Sequence, residues 1–182
     1  AESAAEEVGA NPTICRVCAY FHDIGKLVKP GYFTENMHSG ENPHDDLAPT
    51  MSALIIIAHV KEGVDLALKH KLDQTIIDAI QQHHGTSVVG FFYNRALQQH
   101  KDAREGGKIM NLRDEDIPQV SEDSFRYPGP RPQTKETAIL SLADAVESAS
   151  RSLAKPSPQK IEQLISDIVR SRINDGQLDE CD

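Results

Sequence analysis

Four histidines and two aspartates constrain this chain more than any other feature: His22 and Asp23, then His59, then His83 and His84, then Asp144. Each stands at the end or the edge of an apolar stretch with helical spacing. A fold that uses them together must converge those helices on one point. His22-Asp23 lies in the run Tyr20-Phe21-His22-Asp23-Ile24-Gly25-Lys26, so an imidazole and a carboxylate sit side by side where an apolar helix runs out.

The helices read as follows. An opening helix runs to Val8 and ends at Gly9. Asn11 caps the next, with Pro12 in first position. Ile14, Val17, Cys18 and Phe21 mark its buried face, and Gly25 stops it. A loop rich in Pro, Gly, Asn and His spans 29–49. A third helix carries Met51, Leu54, Ile55, Ala58 and His59; Gly63 ends or kinks it, and Val64–Leu68 reads as a separate short helix. Asp73 caps a helix with Ile76, Ile77 and Ile80 on one face, closing on His83-His84-Gly85. The stretch 87–97 is helical, and 98–124, charged and polar with Gly106-Gly107, is expected to be an exposed insert. Thr134 caps a helix that buries Ile139, Leu142, Val146, Ala149 and Leu153. Ser157 and Pro158 open a last one on Ile161, Leu164, Ile165 and Ile168. No repeat and no convincing strand emerges, so the expected fold is an all-α helical bundle.

The 182 residues suffice for one domain, expected to span 1–182. An apolar content of 38% with 5% aromatics and no Trp suits a core of Leu, Ile, Val and Ala. A formal charge of −9 argues against a nucleic-acid polymer as partner. An acidic protein that handles a phosphate needs local positive charge, which bound metal supplies. The three cysteines make no disulfide framework. Cys15-Arg16-Val17-Cys18 lacks a second pair for a zinc site and reads as two core residues. No run approaches the ~20 apolar residues of a membrane span, and no signal peptide is evident. The first residues read as mid-helix and the last lack an end signal, so the chain is expected to be a piece of a longer protein.

Phosphoester hydrolysis needs an activated water and a counter to the charge on phosphorus, and paired metal ions supply both. Imidazole with carboxylate points to Fe or Mn first, and the two oxygens of Asp23 suit it to bridge. Taken singly, each candidate has a bland reading. His22-Asp23 would be a buried imidazole with its neighbour, His59 a polar residue at a helix edge, and His83-His84 a helix end satisfying carbonyls. Taken together, in this order, they favour a site. Leu140, Asp144, Glu147 and Arg151 share a stripe opposite the expected buried face, which would aim Asp144 into a cleft. Its bland reading is a solvated face with a Glu147–Arg151 pair.

The stretches His22-Asp23-Ile24-Gly25-Lys26, Glu41-Asn42-Pro43-His44-Asp45, Ile56-Ile57-Ala58-His59-Val60-Lys61, Gln82-His83-His84-Gly85-Thr86, Phe125-Arg126-Tyr127-Pro128-Gly129-Pro130 and Ser141-Leu142-Ala143-Asp144-Ala145-Val146-Glu147 resemble the cytosolic HD domain of the bacterial seven-transmembrane HD family. The closing Asp175-Gly176-Gln177-Leu178-Asp179-Glu180-Cys181-Asp182 is similar too, and the resemblance covers nearly the whole chain. It implies a two-metal phosphodiesterase that hydrolyses cyclic di-AMP to pApA. It also implies a cytoplasmic domain of a bacterial inner-membrane protein, tied to the membrane by segments not in this sequence. Carried over, His22, Asp23 and Asp144 hold one metal, and His59, His83 and His84 hold the other, with Asp23 bridging. The family has a further ligand His on the helix before His22; none stands there in this sequence, and it is expected just upstream of residue 1.

Lys26 is a candidate to act with Asp23 on the scissile phosphate; the bland reading is a helix-end cation. Arg126 and Arg151 are candidates to hold a second phosphate, and Tyr127 to stack on a base, against the bland reading of a turn aromatic packed on the core. His44-Asp45 repeats the dipeptide in a loop without the Ile-Gly-Lys sequel and is not counted as a ligand pair. His38, His70 and His100 are expected to be exposed. Two alternatives stay open: the same site acting on cyclic di-GMP or a nucleoside phosphate, and a cyclic-dinucleotide sensor without turnover.

Overall fold

The computed structural model describes residues 1–37, 42–109 and 119–181. His38 and Glu41, and 110–118 of the expected insert, lie outside the described residues. Among those described there are seven α-helices and no strand, only an isolated antiparallel bridge between Val88 and Arg126. The all-α expectation therefore holds. The chain falls into two compact units: 1–28, 59–87 and 128–182 form the first, and 29–58 with 88–127 the second.

In the first unit, α1 (Glu2–Val8) and α2 (Pro12–Phe21) pack on each other, and α2 packs on α4 (Gln74–Gln82) and α6 (Lys135–Ser150). Gly9, at φ 71°, ends α1 in the left-handed conformation glycine tolerates. The Asn11 side chain accepts from the N–H groups of Thr13 and Ile14, with Pro12 at the start of α2, as the sequence predicts. Asp73 caps α4 by accepting from Thr75 N–H, Thr134 and Thr137 cap α6 reciprocally, and Ser157 accepts from Lys160 N–H to open α7 (Pro158–Asn174). One cluster joins Cys18, Ala79 and Leu140, and another joins Ala67, Ile77 and Ile80 with Ile24, Val64 and Ile76 packed against it.

Several expectations change. The buried face of α2 is Cys15 and Cys18, whereas Val17 is exposed. The inner face of α6 is Thr137, Ala138, Leu140 and Ser141, with the expected Ile139, Leu142 and Val146 only half-buried. No residue of α7 is fully buried, so its apolar stripe is half in solvent. His70 is exposed as expected, but His100 is half-buried.

The third helix, α3 (Pro49–Lys69), is continuous through Gly63 and absorbs Val64–Leu68. Gly63 is there for close approach. A Cβ on it would meet Ile80 Cγ2 at 2.9 Å and Gly25 N at 3.3 Å. Gly25 does not stop a helix either, because α2 ends at Phe21 and a 3-10 turn spans Ile24–Val28. A Cβ on Gly25 would lie 1.9 Å from the His59 carbonyl oxygen and 2.5 Å from Gly63 N. The backbone after His22-Asp23 thus rests directly on the backbone of α3.

In the second unit, Ala53, Phe92, Ala96 and Phe125 make the core, with Ile56, Ile57, Val88, Val89, Tyr93 and Val120 against it. Helix α5 (Gly90–Ile109) carries helical structure well into the expected insert. Its polar residues have the composition of a loop but also good helix propensity: Gln98, Gln99, Lys101, Ala103, Arg104 and Glu105 are all strong formers.

Candidate metal centre

All six expected ligands belong to the first unit, and the structure brings them together. Two groups of ligand atoms form, each within 4.8 Å: Asp23, His59, His83 and His84 in one, and His22, Asp23 and Asp144 in the other. Asp23 belongs to both. Its Oδ1 lies 3.3 Å from His59 Nε2 and 3.7 Å from His83 Nε2, and its Oδ2 lies 3.2 Å from His22 Nε2. Asp144 Oδ1 is 3.6 Å from His22 Nε2, and its Oδ2 is 3.7 Å from His84 Nδ1.

Local structure sets these directions. His22 caps the C-terminus of α2, and its Nδ1, 2.9 Å from the Ala19 carbonyl, donates there. His83 caps α4 in the same way, with Nδ1 donating to the Ile80 carbonyl at 2.7 Å. In both rings the tether leaves Nε2 facing the centre, the usual arrangement behind a metal-ligating histidine. The Nε2 atoms of His59 and His83 stand 3.3 Å apart. These buried nitrogens are within hydrogen-bond distance of each other, and both converge where an ion could sit.

Two polar atoms strengthen the case. His22 Nε2 and Asp23 Oδ1 are buried without a hydrogen-bond partner among the described residues. Burying such groups unsatisfied costs roughly 1–3 kcal/mol each, and both point where a cation would satisfy them. The donor set of four imidazoles and two carboxylates therefore fits divalent metal.

The electrostatics agree. Burial works against the Asp23 charge, but His22, His59 and Lys26 outweigh it and hold the carboxyl far below the usual range. Asp144 is lowered too, burial again overcome, chiefly by His22. Burial, with the charges of His22 and His59, pushes His83 down to about 4, and burial with His83 and His59 holds His84 well below its ordinary value. Both are neutral at pH 7, as metal ligation requires. His22 differs: burial opposes protonation, yet Asp144 and Asp23 beside it raise the pKa to about 10, so a metal ion binding there would have to displace its proton.

The remaining candidates are placed differently. Lys26 Nζ pairs with Asp23 Oδ2 at 2.7 Å, so this cation sits at the centre. Arg151 pairs with Glu147 at 2.8 Å on an exposed stretch of α6. The stripe that holds Asp144 is thus not opposite the core: Leu140 is 2% exposed, and the stripe passes from core to solvent along the helix. In the second unit, Arg126 Nη2 binds Glu122 at 2.5 Å, and Tyr127 is buried at 7% exposure. His44, also there, is buried with Nε2 2.9 Å from the Tyr32 carbonyl and its ring on Phe92; it is in neither ligand group.

A residue that sequence reasoning missed is Gln177. It is buried and binds Thr86, two residues after His84. Its position in the closing Asp175–Asp182 stretch was the available signal.

The class is thus a helical domain in which a shared aspartate joins two groups of His and Asp ligand atoms, each able to hold a divalent ion. The chain belongs to the HD domain family, whose model matches residues 1–149. It is 44% identical over its whole length to the cyclic-di-AMP phosphodiesterase PgpH of Bacillus subtilis and 41% identical to that of Listeria monocytogenes, and it spans 23% of each. The crystal structure of the L. monocytogenes PgpH HD domain in complex with cyclic-di-AMP superposes with a TM-score of 0.85 at 41% identity, covering 100% of this chain and 77% of that one. Among the described residues no helix is long and apolar enough to cross a membrane.

Proposed function

We propose that this domain is a metal-dependent phosphodiesterase that hydrolyses cyclic di-AMP to pApA, using two iron or manganese ions. The observation that carries the proposal is Asp23, one carboxylate with His22 and Asp144 on one side and His59, His83 and His84 on the other. The names of the relatives supply the substrate class. By the same resemblance, the domain works on the cytoplasmic side of a longer membrane protein.

Divalent ions held there would acidify the attacking water and offset the charge developing on the phosphoryl oxygens. The chain's own residues do the rest. His22, Asp23 and Asp144 would hold one ion, and Asp23, His59, His83 and His84 the other. The carbonyls of Ala19 and Ile80 keep the His22 and His83 rings turned so that Nε2 faces inward. Lys26 supplies a cation beside Asp23, suited to neutralising an oxygen of the scissile phosphate. In the reaction the oxygen of water joins phosphorus, the P–O3′ bond breaks, and O3′ takes up a proton. Arg151 is proposed to hold the other phosphate. Arg126 and Tyr127, the sequence's candidates for a second phosphate and for a base, belong to the second unit, and the burial of Tyr127 leaves little ring face to offer a base.

The test is incubation with Mn(II) and either cyclic di-AMP or cyclic di-GMP, with products separated by chromatography. The proposal expects pApA from cyclic di-AMP and slower or no release from cyclic di-GMP. Intact cyclic di-AMP with metal bound would move the assignment to another phosphoester or to a sensor without turnover.

A further inference from the structure

Gln177 is 1% exposed, and its partner Thr86 is 91 positions away in the sequence. A carboxamide has one acceptor oxygen and two N–H donors, and here all are engaged. Oε1 accepts from Thr86 N–H at 2.9 Å, while Nε2 donates to Thr86 Oγ1 and to Asp175 Oδ2, each at 2.9 Å. Filling space alone would not call for this residue, since an apolar side chain of similar size packs without the cost of burying an amide.

What Gln177 grips is the turn that carries His84. Gly85 takes φ +55°, and a Cβ there would lie 2.3 Å from Gln177 Oε1. Turn and carboxamide therefore interlock with no room for a side chain between them. The turn closes on itself through the His84 carbonyl, which accepts from Ser87 N–H at 3.1 Å and from Ser87 Oγ at 2.7 Å. His83 is oriented separately, by the Ile80 carbonyl of its own helix. His84 lies beyond the last residue of α4, Gln82, where the helix no longer dictates direction.

We infer that Gln177 is a positioning residue for His84, fixing the His84-Gly85-Thr86 turn so that the imidazole completes the ligand group of Asp23, His59 and His83. The inference rests on the two-ion reading above. It is tested by titrating metal-free protein with Mn(II) calorimetrically in a His22→Ala background, where only the His84 group remains to bind. There Gln177→Leu is expected to weaken binding about 10–100-fold, the usual effect of losing a group that orients a ligand, whereas Thr86→Ser alone, which keeps the hydroxyl, retains ordinary affinity. A purely structural role would lower the melting temperature and leave the affinity of folded protein unchanged. Unchanged affinity in Gln177→Leu that is folded by circular dichroism overturns the inference. Should that variant not fold, Thr86→Val, which removes the hydroxyl that Nε2 reaches at 2.9 Å and Arg131 Nε at 3.4 Å, is expected to show a smaller loss, and unchanged affinity there overturns it equally. A His22→Ala protein that binds no Mn(II) would instead strike the two-ion reading itself.

Discussion

At the residue scale the account turns on Asp23 and Gly25. Asp23 has both oxygens committed, one to each ligand group, so Asp23→Ala is expected to lose both ions together and to reduce turnover to background. Metal analysis after gel filtration, beside the chromatographic assay, checks both. Gly25 makes a different demand. An added methyl would meet the His59 carbonyl oxygen at 1.9 Å, and a backbone atom cannot swing aside. Gly25→Ala is expected to cost about 3 kcal/mol or more, the upper end for overpacking, and to push Asp23 and His59 apart. At Gly63 the nearest atom is the methyl of Ile80 at 2.9 Å, and alanine gains about 1 kcal/mol of helix propensity. Gly63→Ala should therefore be far milder, and urea unfolding of the two variants side by side checks the contrast.

Elements deliver these residues by their ends. His22 and His83 both cap the C-termini of helices, α2 and α4, and His84 follows, so the register of a helix end decides where each nitrogen points. The N-terminal end of α2 is held by Asn11, whose side chain accepts at 3.0 and 3.1 Å and whose N–H donates to Glu136 at 2.7 Å. Asn11→Ala is expected to cost about 1 kcal/mol. That lowers the melting temperature by about 2–4 °C for a chain of this size, while metal content stays unchanged. Caps of this kind were legible in the sequence because they are local: Asn11-Pro12, Asp73, Thr134 and Ser157-Pro158 all begin helices where their chemistry says they should. The two glycines were read as helix punctuation and are in fact points of contact between backbones. A pairing of Gly25 with His59 and Gly63 depends on tertiary approach, which a local pattern does not encode. The second half of α5 was missed for the converse reason: beyond residue 97 polarity suggested an exposed insert, while propensity favoured the helix.

In the whole molecule, six ligands from four helices and the turns that follow them meet in one unit. That convergence was legible from their order and their resemblance to a family, not from spacing. Gln177 was not legible as a partner of Thr86, because the contact spans 91 residues. The centre also sets the pH response of the metal-free protein. His83 is lowered to about 4 when folded and is near 6.5 when unfolded. The unfolded chain therefore binds the proton first, and stability falls as pH drops from 6.5 towards 4, by about 2 kcal/mol for His83 alone at pH 5. His84, shifted the same way, adds to this. His22 has the opposite sign: its folded value of about 10 gives stability that is complete below 6.5 and is lost as pH rises towards 10. Urea midpoints measured in EDTA across pH 5–9 should therefore trace a maximum near pH 6.5.

The most direct measurement is an anomalous difference map from crystals of this protein grown with Mn(II). The account predicts two peaks on either side of the Asp23 carboxylate, one among His22, Asp23 and Asp144 and the other among Asp23, His59, His83 and His84. A single peak, or two that do not share Asp23, would contradict it.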